Sequence, residues 1–144
     1  MDRAMMPLRL FGEYLREGTV RKQSPDKLRA RSLLLESKDS YKILLSIAAE
    51  MGVNDDNANH VIKNAYDIVM ELIRAKMLMD GFATTGKGAH EAEVSYMTMI
   101  GVSLKDVDFA NEVRYFRNGI MGRNLTRNML VKSSGFSKEY IQHS

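Results

Sequence analysis

Between Asp55 and Gly81 the chain offers almost no polar side to a helix. Val61, Ile62, Ala65, Ile68, Val69, Leu72, Ile73 and Met79 cover most of a helical circumference. One narrow line stays polar: His60, Lys63, Asn64, Asp67, Glu71 and Arg74, mostly at steps of three and four. A helix this apolar has to be covered on several sides. Its polar line has to meet water or a polar partner, because an unpaired buried charge is costly. Other helices must therefore be built around this one.

The neighbouring sequence supplies them. Asp55 or Asp56 is the expected N-cap of the apolar helix, and Gly81 its stop. Upstream, "SPDK" reads as a helix start, with Ser24 as N-cap, Pro25 at the first position and Asp26 in the first turn. That helix runs to Met51 and ends at Gly52. Leu28, Leu35, Ile43, Ile47 and Met51 recur along it and define its expected inner stripe, widened by Leu33, Leu34, Leu44 and Leu45. A short amphipathic segment over about residues 4–17 precedes it, closed by Gly18 and a polar linker. Downstream, "GFATTGKGAH" reads as a loop, and "AHEAEVSYMTMIGV" as a short helix. Ser103 then caps a further helix, with Asp106 at its third position. The tail from Arg123 adds either a short helix over "NLTRNMLVK" or a frayed turn. No alternating run of four to eight residues predicts a strand. The expected architecture is all-α: an up-down antiparallel bundle of four to five helices. Its two longest members would each measure roughly 40 Å at 1.5 Å per residue. One domain spans 1–144, with an N-terminal helix and linker over 1–23, a core over 24–125 and an extension over 126–144.

Composition removes several chemistries. There is no cysteine, so disulfides, thiolate catalysis and cysteine-bound zinc are excluded, and a reducing cytoplasmic setting fits. No apolar run reaches the roughly 20 residues needed to cross a bilayer. The charged N-terminus "MDRAMMPLRLF" does not read as a secretory signal. His60, His90 and His143 are scattered and form no metal motif; His90 reads as a helix-start residue. The glycines and lysine of "GFATTGKGAH" lack phosphate-loop spacing, so no cofactor is expected. There is no nucleophile elbow.

Charge is segregated. Residues 1–35 carry eight basic and four acidic side chains, residues 53–112 five and ten, and residues 113–132 five and none. Such a basic stretch is either a nucleic-acid footprint or a face that pairs with the acidic middle, within the fold or across a dimer. Within it, "VRYFRNGIMG" (residues 113–122) sets Val113, Phe116 and Ile120 on one helical face. Arg114, Arg117, Asn118 and Met121 fall on another. Arginine grips phosphate and carboxylate as a rigid fork, so Arg114, Arg117 and Asn118 are candidate ligand-binding residues. Asp67 and Glu71, one turn apart, are candidates to orient a base or hold an arginine; the plainer reading pairs them with Arg74 or with the later arginines. Tyr115 reads as a packing residue.

Three blocks in order, "NAYDIVMELIRAKMLMDGF", "HEAEVSYM" and "NEVRYFRNGIMG", resemble the HEPN superfamily (higher eukaryotes and prokaryotes nucleotide-binding domain), and among it the small stand-alone prokaryotic and archaeal members. The resemblance spans roughly residues 25–125. It implies a dimeric bundle of four or five helices. It also implies one of two roles: a metal-independent ribonuclease, often a toxin of a toxin–antitoxin pair, or a helical partner of a minimal nucleotidyltransferase. The ribonuclease members carry R-x-x-x-x-H, with a polar residue directly after the arginine. Arg117 and Asn118 match the start, but Gly122 stands where the histidine belongs, and glycine can move no proton. Arg123 follows, but its guanidinium is no base at neutral pH. The expectation is a homodimer that binds nucleotide, RNA or a nucleotidyltransferase partner without catalysis. The alternative is a divergent ribonuclease.

Overall fold

Two long helices joined by a six-residue turn form the frame. The computed structural model describes residues 8–117, with side chains to Tyr115. Its elements in chain order are α1 (Phe11–Glu17), β1 (Val20–Lys22), α2 (Lys27–Met51), α3 (Ala58–Asp80), β2 (Phe82–Thr84), α4 (Ala89–Met99) and α5 (Leu104–Arg117). This is an all-α helical bundle carrying one small two-stranded ribbon. No helix among the described residues is long and apolar enough to cross a membrane. Expectations for Asn118, Ile120, Met121, Gly122, Arg123 and the tail lie outside the described residues, as do the side chains of Phe116 and Arg117.

α3 is the central element, and it is covered on two sides as its sequence requires. One side faces α2. There Ala65, Ile68 and Leu72 pack with Leu44, Leu34 and Tyr41, and Ala75 and Leu78 pack with Ala30 and Leu33. Residue 30 meets residue 75 and residue 44 meets residue 65, so the two helices run antiparallel. The inward residues of α2 are Ala30, Leu34, Ser37, Tyr41, Leu44 and Ala48. They step four and three in alternation, the spacing of a coiled-coil seam. The other side of α3 carries Ile62, Tyr66, Val69, Met70, Ile73 and Met77 into the main core, against Phe11 and Tyr14 of α1, Val94 and Met97 of α4, and Val107 and Val113 of α5.

This seam corrects the expected inner stripe of α2. Leu28, Leu35, Ile43, Ile47 and Met51 are exposed, Leu28 at 84% and Ile43 at 62%. Their steps of seven, eight, four and four drift around the helix axis. The true seam holds smaller residues, and Ser37 sits in it fully buried because its hydroxyl donates to Leu33 O at 2.8 Å. A back-bonded serine presents little unsatisfied polarity to a seam.

The helix ends follow local chemistry, with two shifts from expectation. Asp26, not Ser24, caps α2, accepting from Arg29 N at 3.0 Å. Asn57, rather than an aspartate, holds the N-cap position of α3, and its side chain turns back to the preceding loop instead of bonding the helix. Asn54 Oδ1 accepts from Asp56 N and Asn57 N, and Asn57 Oδ1 accepts from Asn54 N at 3.0 Å. Asn57 Nδ2 donates to Gly52 O at 2.9 Å and closes the turn. Ser103 Oγ accepts from Asp106 N at 3.2 Å, as the sequence predicts for α5.

The ribbon was not expected. β1 and β2 pair antiparallel, Val20 with Thr84, Arg21 with Ala83 and Lys22 with Phe82. Three residues are too few to show alternation, and their pairing comes from tertiary placement rather than from local preference. The segment continues as a strap: Gln23 N donates to Gly81 O at 2.9 Å and Asp26 N to Leu78 O at 3.0 Å. The strap explains Gly81 twice over. Its φ is +87°, and a Cβ there would lie 2.7 Å from Gln23 O.

Gly81→Ala is therefore expected to destabilise the protein by about 1–3 kcal/mol, from the left-handed backbone and from displacement of the strap. Urea unfolding followed by circular dichroism measures it. Gly52→Ala, which meets nothing within 4 Å, is expected to lose less.

Candidate functional site

α4 carries two glutamates that face different neighbours. Every residue from Ala92 to Met97 is buried, so the helix is enclosed on most sides. Glu91 and Glu93 therefore have to find partners within the protein.

Glu93, 2% exposed, lies between α3, β2 and α4. Its Oε2 accepts from Arg74 Nε at 3.1 Å and from Thr84 Oγ1 at 2.7 Å. His90 Nδ1 lies 3.4 Å from the other oxygen. A buried carboxylate held by a guanidinium and a hydroxyl fixes the orientation of both donors.

Glu91 faces α1 and α5. It accepts a hydrogen bond from the Tyr14 hydroxyl. Arg9 Nε lies 3.8 Å from it, and Arg114 Nη2 lies 3.9 Å away. Arg9 also pairs with Glu17 and stacks over the Tyr14 ring at 4.6 Å. The Glu17 hydrogen bond raises the Arg9 guanidinium further above its ordinary range. Burial, followed by the bond to Glu91, pushes the Tyr14 phenol up to about 12. Burial and a hydrogen bond to Asp80 raise Tyr96 as well.

Arg114, expected on a wet face, is largely enclosed, its side chain 12% exposed. Its Nε and Nη2 both donate to Asn111 Oδ1, at 3.1 and 2.9 Å, and its guanidinium lies 4.6 Å over the Tyr115 ring. Its described partners are Asn111, Tyr115 and Glu91. Tyr115 is buried, which agrees with its reading as a packing residue. Arg117 continues α5 by one turn beyond Val113. Asn118 lies outside the described residues.

Asp67 and Glu71 occupy a different place. With Asn64, Ser40, Ile43 and Ile47 they line a groove of about 290 Å³ between α2 and α3. Glu71 Oε1 lies 3.5 Å from Ser37 Oγ. Burial first, and then the nearby charge of Glu36, raises the Glu71 carboxyl, while Arg74 opposes the rise. The polar line of α3 thus borders this groove. The structure joins Arg114 to the α1–α4–α5 cluster, and Glu71 to Ser37, Glu36 and Arg74.

Sequence reasoning missed Glu93. One signal was available: in "AEVSYM" every direction around the helix is taken by neighbours that bury readily, so its one acid had to be enclosed with them. Among the described residues, no cluster of three histidines or carboxylates is placed to hold a metal ion.

Arg74→Met should destabilise by about 3 kcal/mol, because it strands a buried carboxylate. Arg74→Met combined with Glu93→Leu should recover much of that loss, as thermal unfolding of the two variants will read. The raised tyrosines give a second expectation. Their contribution is complete below pH about 10, the ordinary phenol value, and is lost as pH rises through the folded-state values. Stability should fall from pH about 10 upward, and Tyr14→Phe should flatten the fall. Compared with models of protein families, with curated proteins and with solved structures, the chain matches none.

Proposed function

We propose that this chain is a dimeric, HEPN-like helical module that binds nucleotide or RNA without cleaving it. One observation carries the association: large aliphatic side chains are exposed along α2, from Leu28 and Leu35 on its outer side to Ile43 and Ile47 at the α2–α3 groove. Leu28, Leu35, Ile43, Ile47 and Met51 are exposed along a helix of 25 residues. Large aliphatic side chains along one exposed helix mark an interaction surface. A second copy is the occupant we favour. α2 carries Lys27 and Arg31 at one end and Glu50 at the other, so an antiparallel pairing of α2 with α2 would bring opposite charges together. Self-complementary faces of this kind are the commonest route to dimers.

The ligand reading rests on the basic stretch from Arg114 to Lys132, which carries five cations and no acid. Arg114 is anchored in the fold by Asn111 and Glu91. Arg117 and Asn118 follow it, and with it form the proposed contact for phosphate. Gly122 stands where the ribonuclease members of the resembled family carry their histidine, which supports binding over cleavage.

The full chain should sediment as a dimer, and Leu35→Lys with Ile43→Lys should make it monomeric while keeping its helical circular dichroism. A wild-type monomer would sink the self-association and point to a different protein, such as a nucleotidyltransferase, on this face. Fluorescently labelled single-stranded RNA should bind the wild type and weaken with Arg117→Ala. RNA cleavage in the presence of chelator that disappears with Arg117→Ala would establish the ribonuclease reading instead.

A further inference from the structure

A second basic site lies at the strap, and it shares no residue with the α5 end or with the exposed stripe of α2. A cavity of about 220 Å³ opens where β1, β2, α2 and α3 meet. Arg21 of β1, Arg29 of α2 and Arg74 of α3 all line it, together with Gln23. Among the described residues, no acidic one lines it. Converging like charges repel, and the repulsion strengthens as the surroundings become less polar. Glu93 offsets Arg74, and the charges of Arg21 and Arg29 on the exposed side of the cavity favour an anion there.

The cavity is also built to hold its cations in position. Arg74 gives Nε to the buried Glu93, which fixes the plane of the guanidinium; among the described residues its two terminal nitrogens make no hydrogen bond, though Glu71 lies near enough to feel its charge. Thr84 gives its hydroxyl proton to the same carboxylate, so it serves to hold Glu93. Arg21 is set by the register of the ribbon, opposite Ala83. Gln23 is pinned through its amide to Gly81 O. Arg29 stands in the first turn of α2, where the helix dipole already favours negative charge. Asp26 is occupied there as the cap, accepting from Arg29 N. Among the described residues, no carboxylate pairs with the side chain of Arg21 or Arg29. The remaining wall is apolar, including Leu33, Met77 and Phe82. Phe82 is held edge-on against Phe11 at 5.4 Å.

We propose that this cavity binds a phosphate group, free or as the monoester of a small molecule. Three guanidiniums, one of them half-neutralised by Glu93, match a dianion better than a single carboxylate. Arginine forks fit its oxygens in pairs. The apolar wall gives room for the beginning of an ester's organic body.

Titration calorimetry on the full chain with inorganic phosphate and with phenyl phosphate tests the site. Both probes should bind the wild type. Arg21→Gln with Arg29→Gln, two exposed positions, should weaken binding at least tenfold, while Lys42→Gln on the same helix should leave it unchanged. Tighter binding of phenyl phosphate assigns the cavity to a monoester; equal or tighter binding of inorganic phosphate assigns it to the free anion. Either order supports the site. Failure of both probes to bind, or equal binding by the double variant, overturns it. The dimer and RNA measurements are separate readouts, so this result leaves them standing or falling on their own.

Discussion

The withdrawal of α3 from water on two sides is the constraint that the remaining elements obey. Its seam with α2 is an alternation of four and three, in which alanines at positions 30 and 75 let the helices approach closely. Its opposite side receives α1, α4 and α5. Apolar burial of this extent is the dominant favourable contribution to folding. With both sides occupied, the polar residues of α3 have only the margins left to them. Asn64, Asp67 and Glu71 border the α2–α3 groove, and Arg74 reaches from the end of that line to Glu93.

Electrostatics then ties the outer elements to α4. Its two glutamates, two positions apart, take partners on different sides. Glu91 gathers Tyr14, Arg9 and Arg114. Glu93 gathers Arg74 and Thr84. Part of the charge segregation along the sequence is thereby resolved within the fold. Arg9 from the basic N-terminal region and Arg114 from the basic C-terminal stretch both meet an acid of the negative middle. Among the charges that this pairing leaves over are Arg21 and Arg29, which line one cavity.

Much of the frame was legible in the sequence because it is encoded locally. Gly18 and Gly81 end helices with left-handed backbones, and Ser103 starts one with its hydroxyl. The apolar excess of α3 announced a helix buried on more than one side. The inner side of α2 was misread because side-chain size was taken for periodicity. Leu28 and Ile43 are larger than Ala30 and Ser37, yet the small residues keep the seam spacing. The ribbon and strap were invisible for a different reason: they depend on backbone bonds from Gln23 and Asp26 to the far end of α3. The site was legible as residue types and not as a constellation. Arg114 was marked as functional, but its enclosure by Asn111 and Tyr115 needs the packing of α5. Arg74 is far in sequence from Arg21 and Arg29; the α2–α3 seam brings Arg29 to it, and the ribbon adds Arg21.

The strap also bears on the order in which the molecule assembles. The α2–α3 hairpin closes through a short asparagine-locked turn, and its contacts can zip outward from there, from residue 44 with 65 to residue 30 with 75. β1 can join β2 only after both long helices have formed and laid their ends side by side, so its loop-closure entropy falls late. The amides of β1 and β2 should consequently exchange with solvent through partial openings that leave the hairpin intact, making the ribbon a latch that can release without unfolding what it fastens.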